Sequence, residues 1–105
     1  MKRREVNFRG EVVDDLDSLY RYIAQRSSFE IADGYLTRIE KTCLSLESFP
    51  HRGTAIIGRI SGLRSIGFER RVTILFRVGE DVVQVLRILY GRRDIQAVVD
   101  ELLNS

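Results

Sequence analysis

The hydrophobic pattern of this chain changes period at Pro50, and that change limits the folds available to it. Before Pro50, apolar residues recur at helical spacing in two segments. After Pro50, β-branched and aliphatic residues form runs of strand length. Grouped helices followed by strands predict an α+β fold, in which a small, twisted, largely antiparallel sheet packs against an N-terminal helical hairpin. The helical stripes are Val12, Leu16, Leu19, Tyr20 and Ile23, then Ala32, Tyr35, Leu36, Ile39, Cys43 and Leu46.

The predicted element order is β-α-α-β-β-β-α, in one domain that spans residues 1–105. A short strand that Gly10 ends comes first, and the first helix ends near Arg26. Ser27 and Glu30 have the spacing of a capping box, so we expect the Ser27 side chain to cap the second helix.

The last third of the chain predicts a β-hairpin and a short final helix. Residues 71–78 and 82–90 are strand-like, and the turn at 79–81 joins them. The second of these strands carries apolar residues on both faces, which predicts an interior strand covered on each side. The final helix places its apolar residues at Ile95, Val98, Val99 and Leu102.

Composition excludes several classes of protein. An apolar share of 44% and a charged share of 30% are those of an ordinary globular protein. No apolar run is long enough to cross a bilayer, and no signal-peptide stretch follows the basic start, so we expect a cytoplasmic protein without membrane contact. With one cysteine, Cys43, and one histidine, His51, we expect no internal disulfide, no metal site and no cofactor.

Positive charge is concentrated in one stretch of the chain. Residues 52–93 contain nine arginines and three acids, a charge of +6, although the whole chain carries only +2. Such a stretch indicates an acidic partner, either nucleic acid or an acidic protein segment, and arginine offers a planar fork for either. A GC-rich genome would produce the same arginine bias. The sequence has no helix-turn-helix, aromatic platform or RNP-like run, which disfavours an independent nucleic-acid binder.

Several short motifs, in their order along the chain, resemble the ParE/RelE toxin family, and its ParE branch in particular. The resemblance covers nearly the whole chain. It implies the toxin of a type II toxin–antitoxin system, captured in a hetero-oligomer by a ParD-like antitoxin whose C-terminal segment wraps it, with operator DNA bound only through the antitoxin. The motifs are Arg21-Tyr22-Ile23-Ala24, Ala32-x-x-Tyr35-x-x-Arg38-Ile39, Gly62-Leu63-Arg64, Val72-x-Ile74-x-Phe76-Arg77-Val78 and Val85-Leu86-Arg87-Ile88-Leu89-Tyr90-Gly91-Arg92-Arg93-Asp94.

The resemblance implies one of two activities. ParE-like members of the family poison DNA gyrase, whereas RelE-like members cut mRNA in the ribosome. Cleavage of RNA needs a base, an acid and cations that stabilise the charged intermediate. Thr73 stands where RelE-like members carry an arginine, and Val99 stands at their C-terminal acid/base position. Tyr90 stands where many relatives carry histidine, and a phenol with a pKa near 10 is a poor base. We therefore expect no catalytic residue and predict inhibition by binding; the alternatives are a RelE-like ribonuclease and a non-toxic, antitoxin-binding regulator.

The residues predicted to bind the antitoxin or the target are Arg64, Arg77, Arg87, Tyr90, Arg92 and Arg93. The alternative for Arg64 is a structural role on carbonyls at the sheet edge. For Arg92 and Arg93 it is a local pair with Asp94, a residue expected to cap the last helix.

Arg87 is the one charge in an apolar strand and needs a partner, which is either a binding groove or an acid of the first helix such as Asp14 or Asp17. We further expect the sheet face opposite the hairpin to form an open cationic trough for the antitoxin's tail.

Overall fold

The structure is a computed structural model and describes residues 3–104. It confirms the α+β class and the N-terminal helical hairpin. A single 3₁₀ turn, Ser45–Glu47, follows the hairpin. The elements are β1 (Glu5–Phe8), α1 (Gly10–Arg26), α2 (Phe29–Leu44), β2 (Thr54–Ala55), β3 (Leu63–Phe68), β4 (Val72–Val78), β5 (Val82–Tyr90) and α3 (Ile95–Leu103).

The sheet has the strand order β1-β5-β4-β3-β2 and is mixed rather than wholly antiparallel. β2 to β5 pair antiparallel with their neighbours, whereas β1 pairs parallel with the first half of β5. The whole hairpin and three strands separate β1 from β5, a connection long enough for the crossover that a parallel pair requires. The two-residue strand β2 is one strand more than the predicted order contains.

The helical hairpin covers one face of the sheet and forms the larger core. Val12 and Leu19 of α1 and Ile39 of α2 are buried against Ile74 and Phe76 of β4. They lie on the predicted stripes. α2 begins one residue later than the capping-box pattern predicts. The cap is not Ser27 but Ser28, whose Oγ accepts a hydrogen bond from the amide of Ile31 at 3.1 Å.

The opposite face of the sheet is covered by α3, which makes the expectation of an open trough there wrong. Leu75, Leu86 and Leu89 of the sheet are buried against Val98 and Val99 of α3. A β-bulge at Leu86 adds a residue to β5 opposite the Leu75–Phe76 step, so that Leu86 and Leu89 both face this second core. β5 is thus covered on both sides, as its apolar pattern predicts.

Two local features fix the ends of these elements. Asp94 caps α3 as expected, with Oδ1 accepting from the amide of Ala97 at 3.2 Å. Gly62, in the Gly-Leu-Arg motif, has a φ of +77°, and a Cβ there would lie 2.3 Å from the carbonyl oxygen of Val78. Only glycine fits this approach of the β3 entry to the end of β4. Within residues 3–104, no helix has the length and apolar character needed to span a bilayer.

Candidate functional site

Arg87 is held at the edge of β5 by an acid of α1. Its Nε and Nη2 donate to the two carboxylate oxygens of Asp15 at 2.8 and 2.9 Å, and Asp15 also accepts from the amide of Ile88 at 2.9 Å. The partner is Asp15 rather than Asp14 or Asp17, because Asp15 lies between Val12 and Leu19 on the inward face of α1. Glu101 of α3 approaches the Arg87 Nη1 to 3.8 Å. Arg87 therefore ties α1, β5 and α3 together.

Beside this pair, α1 and the end of β5 form a groove of about 420 Å³, which we call the α1–β5 groove. The rings of Tyr22 and Tyr90 meet there with centroids 5.2 Å apart, and Tyr22 remains 40% exposed. The groove therefore combines a tyrosine pair with a cation at its rim. Its lining is Asp15, Ser18, Leu19, Tyr22, Arg87, Ile88, Tyr90 and Arg93.

The other predicted site residues divide into two groups. Arg64 donates to the carbonyl oxygens of residues 51, 52 and 53 at 2.9 to 3.3 Å, and the Arg77 Nε donates to that of Ser61 at 2.8 Å. Both arginines thus bind backbone carbonyls of the loops at the far end of the sheet. Arg64 therefore has the structural role on carbonyls that is the alternative to binding a partner. Arg92 and Arg93 are exposed, and their side chains form no ion pair or hydrogen bond with any residue of 3–104, including Asp94.

Around the groove, three segments of the chain add further arginines, and together these form a surface that we call the arginine end. Arg26 lies over the Tyr22 ring at 4.4 Å, and the carbonyl of Arg71 accepts from the amide of Gly91 at 2.8 Å. Each of the arginines at this end is exposed. The arginine end consists of Arg26, Arg38, Arg70, Arg71, Arg92 and Arg93.

The turn between β3 and β4 presents part of this surface in a strained conformation. Glu69 and Arg70 have φ values of +46° and +64°, a region that costs non-glycine residues roughly 1–2 kcal/mol each. Glu69 is held there by Arg38, whose Nε and Nη2 donate to its carboxylate at 2.8 and 3.0 Å. These hydrogen bonds lower the pKa of the Glu69 carboxyl. The helix α2 therefore fixes the turn that displays Arg70.

Tyr35 lies beneath the arginine end and is not a free phenol. Its ring packs edge-on against Phe68 at 5.4 Å, and its hydroxyl is buried without a hydrogen-bond partner among residues 3–104. Burial first, and then the charge of Glu69, raises the pKa of Tyr35. A hydroxyl with a raised pKa does not serve as a base near neutral pH.

The lining of the α1–β5 groove does not include His51 or Cys43, the one histidine and the one cysteine, nor Val99, which stands at the RelE-like acid/base position. His51 is in the loop after α2, beside the carbonyls that Arg64 holds. Cys43 is 1% exposed, and burial raises the pKa of its thiol to about 12, so it is the structural thiol that its place on the apolar stripe predicts. Val99 is 5% exposed and packed in the second core.

Sequence reasoning missed the residues that complete this site. Asp15 lies one residue after Asp14 and two residues before Asp17, the expected acids. Tyr22 stands in the Arg21-Tyr22-Ile23-Ala24 motif but off the apolar stripe. Arg26, Arg38 and Arg70 come from three separate segments. Arg38 stands in a family motif and Arg70 in the arginine-rich stretch, but only the tertiary structure shows that the three arginines lie at one end of the molecule.

Comparisons with known proteins identify one family model and two similar folds. Residues 6–95 match the model of the ParE toxin of type II toxin–antitoxin systems, parDE. Among solved structures, the chromosomal ParDE system from P. aeruginosa superposes with a TM-score of 0.73 at 22% identity, covering 86% of this chain and 98% of that one. The RelBE2 toxin–antitoxin complex from Mycobacterium tuberculosis gives 0.64 at 21%, covering 90% and 97%.

The two structural likenesses, at this level of identity, establish the fold. A search of curated proteins found no match. The family model covers far more than half of the chain. By that match, the chain belongs to the ParE toxin family of type II toxin–antitoxin systems.

Proposed function

We propose that this toxin inhibits DNA gyrase by binding to it, with the arginine end facing the target, and that a ParD-like antitoxin neutralises it. The chemistry of the α1–β5 groove is the observation that supports inhibition by binding. The groove offers arginine, tyrosine and serine side chains and no histidine, and its one carboxylate, Asp15, already accepts two hydrogen bonds from Arg87. Such a site suits recognition of an acidic partner better than proton transfer.

Of the predicted binding residues, Tyr90, Arg92 and Arg93 are the ones that we propose contact the target. They lie together at the end of β5, and the two arginines have side chains free of partners within residues 3–104. Arg64, Arg77 and Arg87 hold the chain's own carbonyls and carboxylate, so their contribution is to position loops and strands.

A RelE-like ribonuclease is the alternative, and the structural likeness to the RelBE2 complex is compatible with it at the level of fold. That activity needs an acid or base where this chain has Val99. The Val99 side chain is 5% exposed in the second core and has no group that transfers a proton.

Purified toxin added to gyrase and relaxed plasmid tests the proposal. We expect loss of supercoiling and accumulation of cleaved DNA, with relaxation by an unrelated type I topoisomerase unchanged as the control. Normal supercoiling at a large molar excess of folded toxin would refute gyrase inhibition. Toe-printing on translating ribosomes tests the alternative, which predicts new mRNA ends that depend on the toxin.

Co-expression with the ParD-like protein tests neutralisation. We expect growth arrest on expression of the toxin alone, rescue by the antitoxin, and a hetero-oligomer in size-exclusion chromatography with light scattering. Unimpaired growth at a verified level of folded toxin would favour the non-toxic regulatory role instead.

A further inference from the structure

We propose that the arginine end binds the phosphodiester backbone of nucleic acid directly, so that the toxin itself contacts the DNA on which its target acts. This inference deepens the proposed function, and it rests on that function only for the identity of the nucleic acid. It concerns the DNA of the target and leaves open the expectation that operator DNA is bound only through the antitoxin.

The first argument is the separation of charge along the molecule. Two acids, Glu69 and Asp94, are adjacent in sequence to arginines of the arginine end, which has six. With these two acids, the arginine end has a formal charge of +4, whereas the whole chain carries +2, so the remainder of the molecule is negative on balance. A concentrated positive surface on an otherwise slightly acidic protein attracts a polyanion in one orientation.

The second argument is that these charges are available. Glu69 is paired with Arg38, and Asp94, which accepts from the amide of Ala97, forms no ion pair with Arg70, Arg92 or Arg93 within residues 3–104. Those three arginine side chains have no ion pair or hydrogen bond within the chain from residue 3 to residue 104. An arginine fork without an internal partner is suited to bind phosphate oxygens.

The third argument is the aromatic pair among the arginines. Tyr22 and Tyr90 are contributed by α1 and β5, and Arg26 lies over the exposed Tyr22 ring. Arginine side chains and tyrosine hydroxyls are common donors to the sugar–phosphate backbone. The sequence alone does not show this grouping because the two tyrosines are distant in the chain.

An acidic protein segment fits this end less well. Protein tails captured by grooves are anchored by apolar side chains, with charge as a secondary contact. At the arginine end the large apolar side chains Phe68 and Val72 are buried, and the exposed groups are guanidinium forks and part of the Tyr22 ring. A polyanion whose affinity comes mainly from charge is the better match.

Fluorescence anisotropy with labelled duplexes of DNA and of RNA tests the inference without gyrase. The test variant replaces Arg70, Arg92 and Arg93 by Gln. The matched control replaces Arg3, Lys41 and Arg59 by Gln, which removes the same charge from exposed sites outside the arginine end. A third variant replaces Arg92 and Arg93 by Lys, which keeps the charge. Thermal unfolding of each protein establishes that it is folded.

We expect wild type to bind with an affinity that falls steeply with salt. The test variant should lower the slope of log K against log salt by about 2.7, roughly 0.9 for each phosphate that the protein no longer neutralises. The control and the lysine variant should keep most of the wild-type slope. Binding to either duplex supports backbone binding by the arginine end, and stronger binding to DNA supports contact with the DNA of the target. Stronger binding to RNA would overturn that second part.

Three results would overturn it: no binding to either duplex at low salt, an equal loss of affinity in the control variant, or equally tight, arginine-dependent binding of a polyglutamate peptide. If the test variant does not fold, the single substitution Arg92→Gln, with an expected slope change of about 0.9, replaces it. Since gyrase is absent from this experiment, its outcome is independent of whether gyrase is the target.

Discussion

The Asp15–Arg87 pair connects the hairpin to the sheet, and replacement of Asp15 by Ala is expected to destabilise the protein strongly. The substitution removes three hydrogen bonds of 2.8 to 2.9 Å, two from Arg87 and one from the amide of Ile88. The two side chains are only 17% and 12% exposed, for Arg87 and Asp15 respectively. Breaking a buried pair costs roughly 3–5 kcal/mol, and the nearby Glu101 places this case at the lower end, about 3 kcal/mol.

Urea denaturation followed by circular dichroism measures this change, with a loss of about 3 kcal/mol at constant m value expected for Asp15→Ala. Asp15→Asn keeps an acceptor for the amide of Ile88 and should lose about half as much. The control is Asp17→Ala, which breaks the exposed pair of Asp17 with Arg21 and should cost at most about 0.5 kcal/mol. A loss below about 1 kcal/mol for Asp15→Ala would show that the pair is not structural.

Three further predictions concern single residues. Glu69→Gln should lower the urea midpoint near pH 7; because Arg38 lowers the Glu69 pKa, the difference from wild type should persist down to about pH 4.5 and vanish as the pH falls below that. Cys43 should react with a thiol reagent at pH 8 at least about 100-fold more slowly in the native protein than in urea, and rapid native labelling would contradict its burial. Asp94→Ala should cost about 1 kcal/mol in thermal unfolding, because α3 loses its cap.

The elements whose apolar residues recur at regular spacing could be predicted from the sequence. The stripes of α1 and α2 and the two-sided apolar pattern of β5 identify their elements, because burial of one or both faces imposes the pattern directly. The two-residue strand β2 and the parallel pairing of β1 were not, since such short segments carry no period and pair through contacts distant in sequence.

The open trough on the sheet face opposite the hairpin was predicted wrongly for a physical reason. The apolar residues of α3, Val98 and Val99 among them, have the same spacing whether they cover the chain's own sheet or a partner's groove. The bulge at Leu86 turns an additional apolar side chain toward α3, and a bulge has no local signature in this sequence.

The candidate site was half predictable. Tyr90, Arg92 and Arg93 belong to one motif at the end of β5, so the sequence predicts them together. By contrast, α1, α2 and the β3–β4 turn contribute Arg26, Arg38 and Arg70 to the same end. Arg64 and Arg77 are arginines of the β strands and were also predicted to bind a partner. Their side chains instead bind loop carbonyls, and the conformations of those loops could not be predicted from the sequence.

Inhibition of gyrase by the charge variants tests the central claim most directly. Supercoiling is titrated with wild type, with the protein in which Arg70, Arg92 and Arg93 are Gln, and with the protein in which Arg3, Lys41 and Arg59 are Gln. We expect the first set of substitutions to raise the half-inhibitory concentration by at least about tenfold, or about 1.4 kcal/mol of binding, and the second set to leave it unchanged. Equal inhibition by all three folded proteins would contradict a function of the arginine end in target binding.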